Sequence, residues 1–188
     1  SFIVNDKMVV EFRINIISSE SDLSKFVSPN EMVNITLIIG ENRVKVSKEY
    51  LAVHSPVFTA MFFGKIAEKR KDEIEIKDVI YEEFLDLLNL IYLGTMQITD
   101  RTVLHILKLA DQFQMQRVVE QSEKHLTQSK GFDTATKLII SDQYRLFALK
   151  EHCFSSFAGI ADLMEKLNRT HGCAKLSDEM KLAIFNRF

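Results

Sequence analysis

Five histidines and two cysteines are the side chains best suited to chemistry. His152 directly precedes Cys153, and His171 lies two positions before Cys173. Adjacent residues on a helix point in different directions, so His152 and Cys153 cannot share an ion, and neither pair has the spacing of structural zinc. Neither thiol has the glycine-rich elbow or oxyanion loop of a Cys-His nucleophile. We expect no metal and no cofactor, although stoichiometric zinc would revive a metal-dependent enzyme as an alternative.

Other signatures of catalysis are missing from the sequence. The chain has 6 glycines, and none forms a phosphate-binding loop of the GxGxxG or GxxxxGK type. The paired acids Glu82-Glu83 and Asp178-Glu179 stand at predicted helix starts, where the helix dipole explains them. We therefore predict that the chain is not an enzyme.

The composition is that of an ordinary globular protein. Of its 188 residues 46% are hydrophobic, and 24 basic and 26 acidic residues leave a net charge of -2. This balance predicts neither a nucleic acid nor an anionic membrane as partner. No stretch could cross a bilayer, and the start SFIVNDKMVV lacks the basic-then-apolar layout of a secretory signal. We therefore expect an intracellular protein, in nucleus or cytoplasm, with reduced thiols. The first residue is Ser, which predicts a fragment or a processed chain.

Strand and hairpin patterns dominate the first part of the chain. Alternation predicts a half-buried strand over 8–16, a continuous apolar run predicts a buried strand over 33–39, and a partner strand follows over 43–46. Ser47 as a cap and Pro56 at a first helical position predict two short helices, with Gly64 ending the second in a left-handed conformation. Residues 73–76 alternate as a third strand, and a helix follows over 82–92.

The rest of the chain is predicted to be helical. Thr99 is expected to cap one helix, and another spans about 117–126. Four further apolar stripes lie at 133–141, 146–157, 161–167 and 178–185, and Ser177 caps the last of them. No internal repeat is predicted.

Four segments occur in an informative order: VHSPVFTAMF, EIEIKDV, FLDLLNLIYLG and LKLADQFQM. Together they resemble the BTB/POZ family, and FIVNDKMVVEFRINI before them resembles the closing strands of a MATH domain. The chain is thus similar to MATH-BTB adaptors. The resemblance implies an α+β BTB/POZ fold, in which helices flank a small, mainly three-stranded sheet. It also implies closing MATH strands at 1–17, a BTB/POZ domain at 18–128 and a helical extension resembling the family's 3-box at 129–188.

The same resemblance implies partners and contact residues. Family members form homodimers and bind cullin-3. Their MATH domain, which the resemblance implies is mostly missing from this chain, holds a substrate protein and so brings it to a ubiquitin ligase. The cullin contact maps onto Ile66, Ala67, Glu68 and Tyr92, and the dimer contact onto Leu23, Phe26, Tyr50 and Leu51. Alternatively, Ile66 folds back onto its own core, Tyr92 is a core aromatic, and Leu23 and Phe26 seal their own sheet.

Two departures from the family pattern bear on the choice of function. Many BTB domains carry Asp where this chain has Asn34 and His where it has Ser47. The charged pocket that transcriptional members use for corepressors then lacks its carboxylate, which favours an adaptor over a repressor. The alternative function is a self-associating scaffold, transcriptional or cytoskeletal, without a ligase partner.

Overall fold

The computed structural model describes residues 35–64, 72–93 and 97–187 of the chain. The described residues form two compact units, one within 35–93 and the other within 97–187. The strands predicted before residue 33 lie outside the described residues. No helix in the described ranges is long and apolar enough to cross a membrane.

A three-stranded sheet forms the centre of the first unit. Strands β1 (Ile35–Ile39) and β2 (Asn42–Val46) pair antiparallel, and β3 (Glu73–Glu75) pairs parallel to β1 on its other edge. Gly40 has a φ of 60° in the hairpin turn, a conformation that glycine adopts without steric cost. The predicted hairpin and third strand are confirmed.

Two short helices, α1 (Lys48–His54) and α2 (Pro56–Phe63), follow the hairpin. The hydroxyl of Ser47 accepts a hydrogen bond from the amide of Tyr50 at 3.2 Å, and Ser55 does the same for Phe58 at 3.1 Å. Each serine satisfies an amide of the first turn that has no partner within the helix. The predicted helical hairpin is therefore confirmed, with its break set by the Ser-Pro pair.

Helix α3 (Tyr81–Leu93) completes the first unit. Its side chains Phe84 and Leu87 are fully buried, as are Leu37 of β1, Leu51 of α1 and Phe58 of α2. The rings of Phe58 and Phe84 meet edge to face with centroids 6.5 Å apart. An apolar core of this kind is what fixes α1 and α3 relative to the sheet.

Gly64 ends α2, but not in the predicted way. Its φ is -63° and its ψ 165°, which is extended backbone and not the left-handed conformation. A Cβ at this position would lie 2.3 Å from the carbonyl oxygen of Ala60. Glycine is required here because the backbone of Ala60 comes so close. A glycine after a helix looks the same in the sequence whether it is needed for such a close approach or for a left-handed cap.

The described residues of the second unit form helices and the turns that join them. Its helices are α4 (Val103–Gln112), α5 (Gln116–Gln128), α6 (Thr134–Gln143), α7 (Phe147–Ser156), α8 (Ile160–Arg169) and α9 (Asp178–Arg187). Leu107, Leu126, Leu138, Leu149 and Leu163 are fully buried in one shared core. The six predicted helical segments are confirmed.

One predicted cap in this unit is wrong. Helix α4 begins at Val103 with Thr102 as its N-cap, one turn after Thr99. The carbonyl of Thr99 accepts hydrogen bonds from the amides of Thr102 and Val103, at 3.0 and 2.8 Å. Thr99 therefore closes a turn that precedes the helix, since its hydroxyl is bonded to that of Thr102 and not to a helix amide.

Helices α4 and α6 end in the same kind of turn. The α4–α5 and α6–α7 pairs are joined by the same turn, at 111–115 (DQFQM) and 142–146 (DQYRL). In both turns the fourth residue is left-handed, Gln114 with φ 52° and Arg145 with φ 56°. In both, the fifth residue's amide bonds five residues back, Met115 to Ala110 and Leu146 to Ser141. The same turn ends α8, where His171 has a φ of 50° and the amide of Gly172 bonds to the carbonyl of Leu167, so it is a recurring helix end and not a sequence repeat.

Candidate protein-interaction surface

The predicted contact residues are only partly covered by the structure. Five of them lie outside the described residues: Leu23, Phe26, Ile66, Ala67 and Glu68. Tyr50 and Leu51 lie on α1, and Tyr92 lies in the last turn of α3. The described part of the surface is therefore built from α1 and the end of α3.

The structure brings Tyr50 and Tyr92 together, although the sequence assigned them to different interfaces. Their rings stack with centroids 4.3 Å apart and an interplanar angle of 27°. The hydroxyl of Tyr50 donates a hydrogen bond to the carbonyl of Ile91. Stacked aromatic pairs stabilise a contact by about 0.5–1.5 kcal/mol beyond the area that they bury. The pair therefore holds the start of α1 against the end of α3.

The hydroxyl of Tyr92 is directed into its own domain. It accepts a hydrogen bond of 3.1 Å from the backbone amide of Ser47, the residue that caps α1. The pKa of Tyr92 is raised from 10.0 to about 12, chiefly because its hydroxyl is buried. The hydrogen bond from Ser47 opposes this shift, and the nearby Tyr50 and Glu49 contribute to it. Tyr92 is thus a neutral, half-buried ring whose polar end is already occupied.

His54 extends the aromatic cluster along α1. Its ring lies 4.7 Å from that of Tyr50, tilted by 51°. Burial also raises the pKa of Tyr50. The cluster of Tyr50, His54 and Tyr92, here called the aromatic cluster, combines three partly exposed rings held by packing and by two hydrogen bonds to backbone. A rigid aromatic surface of this kind is suited to binding another protein, because little side-chain entropy is lost on contact.

Leu51 does not belong to this exposed surface. Its side chain is fully buried in the core of its own chain. Its side chain is therefore not available for the predicted dimer contact in this structure, because adjacent residues of a helix point in different directions and only Tyr50 of the two is partly exposed. Of these two residues, a partner could contact the side chain of Tyr50.

Sequence reasoning missed the exposed apolar residues of the first unit. Val53 on α1 is 83% exposed, Ile80 just before α3 is 54% exposed, and Phe63 at the end of α2 is 50% exposed. A period count assigns apolar residues of such helices to the core. Val53 lies two positions after the buried Leu51, so the two side chains are on opposite sides of the helix. This spacing could have identified Val53 as exposed.

Comparison with known families identifies the domain. The profile of the "BTB/POZ domain" family matches residues 23–130, which is more than half of the chain. The chain belongs to the BTB/POZ family. The predicted α+β BTB/POZ fold and its three-stranded sheet are confirmed.

Similar proteins are known from Caenorhabditis elegans. The BTB chain is 36% identical over 82% of its length to BTB and MATH domain-containing protein 38, and 34% identical over 86% to BTB and MATH domain-containing protein 36. It spans 40% and 52% of the length of these relatives. Among solved structures, the BTB domain of zebrafish PATZ1 aligns with 52% of the chain and 77% of that structure, at 21% identity and a TM-score of 0.44.

His152 and Cys153 of the BTB chain point in different directions, as helical geometry predicts. On α7, Cys153 is fully buried while the adjacent His152 is exposed. Burial raises the pKa of Cys153 to about 12, so its thiol is protonated and unreactive at neutral pH. In the described ranges no three His, Cys, Asp or Glu side chains are grouped closely enough to hold a metal ion. The BTB/POZ domain is a protein-interaction module.

Proposed function

We propose that this chain is a homodimeric BTB module that binds cullin-3 and serves as the cullin-binding part of a substrate adaptor for a cullin-RING E3 ubiquitin ligase. The observation that carries the proposal is the BTB/POZ match over residues 23–130, together with relatives named for both BTB and MATH domains. The chain itself breaks and forms no covalent bond and acts inside the cell. Its contribution is to raise the local concentration of a substrate near the ligase.

The proposed cullin contact has two parts. Ile66, Ala67 and Glu68 follow α2 in the sequence, among Lys65, Lys69, Arg70 and Lys71. An apolar side chain within a polar rim is the composition of an interface anchor. Tyr92 supplies the second part, since its ring is fixed by Tyr50 and its hydroxyl by Ser47.

The proposed dimer contact uses Leu23, Phe26 and Tyr50. Closed twofold symmetry is the commonest arrangement of soluble oligomers, and it would place the same patch of each copy against the other. Tyr50 is supported as a contact residue by its partial exposure on α1, whereas the side chain of Leu51 serves the core. The substrate protein would be held by a MATH domain, as the names of the relatives suggest.

A pull-down with a matched control tests the cullin contact. The double variant Ile66→Lys/Glu68→Lys is expected to lose capture by immobilised cullin-3. Ile80, Tyr81 and Glu82 repeat the same pattern of an apolar residue, any residue and Glu, and both Ile80 and Glu82 are exposed. The control Ile80→Lys/Glu82→Lys therefore makes the same chemical change at another place in the same unit. It should retain capture.

Light scattering on both variants separates the two parts of the proposal. Each variant should keep the mass of a dimer, because neither substitution touches Leu23, Phe26 or Tyr50. Equal capture by wild type and the Ile66→Lys/Glu68→Lys variant would contradict the cullin contact. A dimer that captures no cullin-3 at all, even as wild type, would instead favour the self-associating scaffold. A monomeric wild-type chain would contradict both.

A further inference from the structure

The two tyrosines of the aromatic cluster hold each other in a closed ring of contacts. Tyr50 donates its hydroxyl to the carbonyl of Ile91, the residue next to Tyr92. The hydroxyl of Tyr92 accepts the amide of Ser47, the residue that caps the helix carrying Tyr50. Between these two hydrogen bonds the rings are stacked. Each tyrosine is thus fixed by the backbone beside the other, and this arrangement is here called the tyrosine clasp.

The backbones that carry the two tyrosines are anchored independently of the clasp. Leu51, next to Tyr50, is fully buried, and the hydroxyl of Ser47 accepts the amide of Tyr50 at 3.2 Å. Phe84 and Leu87 of α3 are also fully buried, which anchors the helix that carries Tyr92. Because neither close-packed helix can shift to absorb a displaced ring, a change at one tyrosine is passed to the other through the stack.

The tyrosine clasp joins the two contacts of the proposed function. Tyr50 is the proposed dimer residue and Tyr92 the proposed cullin residue, and both are partly exposed. A second copy that covers Tyr50 fixes its ring against Tyr92. Tyr92 then has less side-chain freedom left to lose when cullin-3 covers it, and the loss of such freedom opposes binding. Both binding events therefore favour the same closed clasp.

We infer that the tyrosine clasp couples dimer formation to cullin binding, so that a chain in the dimer binds cullin-3 more tightly than a lone chain does. This inference rests on the proposed function. Coupling between two binding events is reciprocal, so cullin-3 tightens the dimer by the same factor. One stacked aromatic pair transmits the coupling, and its energy corresponds to a change of about two- to tenfold in a binding constant.

Titration calorimetry on the whole chain tests the coupling. The N-terminal domain of cullin-3 is titrated into wild type and into Leu23→Asp/Phe26→Asp, which places charges in the proposed dimer contact and leaves both tyrosines unchanged. Light scattering gives the mass of each sample. The monomeric variant should still bind the cullin domain, with a dissociation constant about two- to tenfold higher than that of the wild-type dimer. In the reciprocal measurement, saturating cullin domain should lower the dimer dissociation constant of diluted, fluorescently labelled wild type by the same factor.

Removing the stack tests whether the clasp transmits the coupling. Tyr50→Leu replaces the stacked ring by an aliphatic side chain, and the same substitution is made in the monomeric background. The Tyr50→Leu dimer and its monomeric counterpart should bind the cullin domain with equal affinity. Tyr144→Phe, which alters a half-buried tyrosine of the second unit, should keep the wild-type ratio of the two affinities. Where Tyr50→Leu does not fold or dimerise, Tyr50→Phe removes only the hydrogen bond to Ile91 and should lower that ratio.

Hydrogen exchange at the amide of Ser47 observes the clasp itself, because that amide is bonded to the hydroxyl of Tyr92. It should exchange more slowly in the wild-type dimer than in the monomeric variant. Equal cullin affinities of monomer and dimer, a wild-type ratio in the Tyr50 variants, or equal exchange at Ser47 would overturn the inference and leave the proposed function standing. A wild-type chain that is monomeric, or that does not bind cullin-3, would overturn the proposed function and the coupling with it.

Discussion

Replacing Tyr92 by Phe tests whether the aromatic cluster is held as the structure indicates. The substitution keeps the stacked ring and removes only the hydroxyl that accepts the amide of Ser47 at 3.1 Å. Ser47 is 5% exposed, so water reaches its amide poorly. An amide left without an acceptor in such a place costs about 1–3 kcal/mol. We expect Tyr92→Phe to lower the free energy of unfolding by about 1–2 kcal/mol, near the lower part of that range.

Urea denaturation at a fixed protein concentration measures the change, since the apparent stability of the proposed dimer would depend on concentration. Tyr144→Phe is the matched control, because Tyr144 is also half-buried but its hydroxyl makes no hydrogen bond to another described residue. The control should change stability by less than about 0.5 kcal/mol. Equal effects of the two substitutions would refute the assigned role of the Tyr92 hydroxyl.

The pH dependence of stability tests the burial of the Tyr92 hydroxyl in a second way. Burial raises the pKa of Tyr92 from 10.0 to about 12, so the unfolded chain releases this proton first as the pH rises. The resulting stabilisation is complete below pH 10 and is lost as the pH rises towards 12. Tyr92→Phe should therefore flatten the alkaline loss of stability, though Tyr50, whose pKa is also raised, keeps part of it. An unchanged alkaline slope in Tyr92→Phe would contradict the buried hydroxyl.

Other predictions follow from single residues. Leu51→Ala should lower the free energy of unfolding in urea by about 2–5 kcal/mol, because a fully buried leucine is removed. A loss of dimer without a loss of stability would show instead that Leu51 faces a partner. Cys173 should react with a thiol reagent in the folded chain, whereas Cys153 should react only after unfolding, because burial raises its pKa to about 12. Rapid reaction of both thiols in the folded chain would contradict the burial of Cys153. Hydrogen bonds from Ser129 and His125 lower the pKa of Asp100 below 3.8, so the stability it adds is present above pH 3.8 and lost on further acidification. Asp100→Asn should accordingly show a shallower loss of melting temperature in acid, and an acid titration identical to wild type would disprove the contribution.

Local sequence signals predicted most elements of the fold because the responsible contacts are themselves local. The Ser-Pro break between α1 and α2 and the cap at Ser177 each depend on residues within one turn. The predictions failed where one local pattern fits two conformations. Gly64 is needed because a Cβ there would clash with the carbonyl of Ala60, and not because its backbone is left-handed. Thr99 closes the turn that precedes α4 and does not cap the helix.

The candidate site was less predictable because its contacts join distant parts of the chain. Tyr50 and Tyr92 meet only after the shared core has placed α1 against α3, and no spacing rule states that they stack.

The mass of the complex formed with cullin-3 tests the proposed function most directly. Sedimentation equilibrium on the wild-type chain mixed with the N-terminal domain of cullin-3 should give a complex of two chains and two cullin domains. The same mixture made with the Ile66→Lys/Glu68→Lys variant should give a dimer of the chain and free cullin. A wild-type chain that sediments without cullin-3 would contradict the adaptor function, and one that sediments as a lone protomer would contradict the dimer as well.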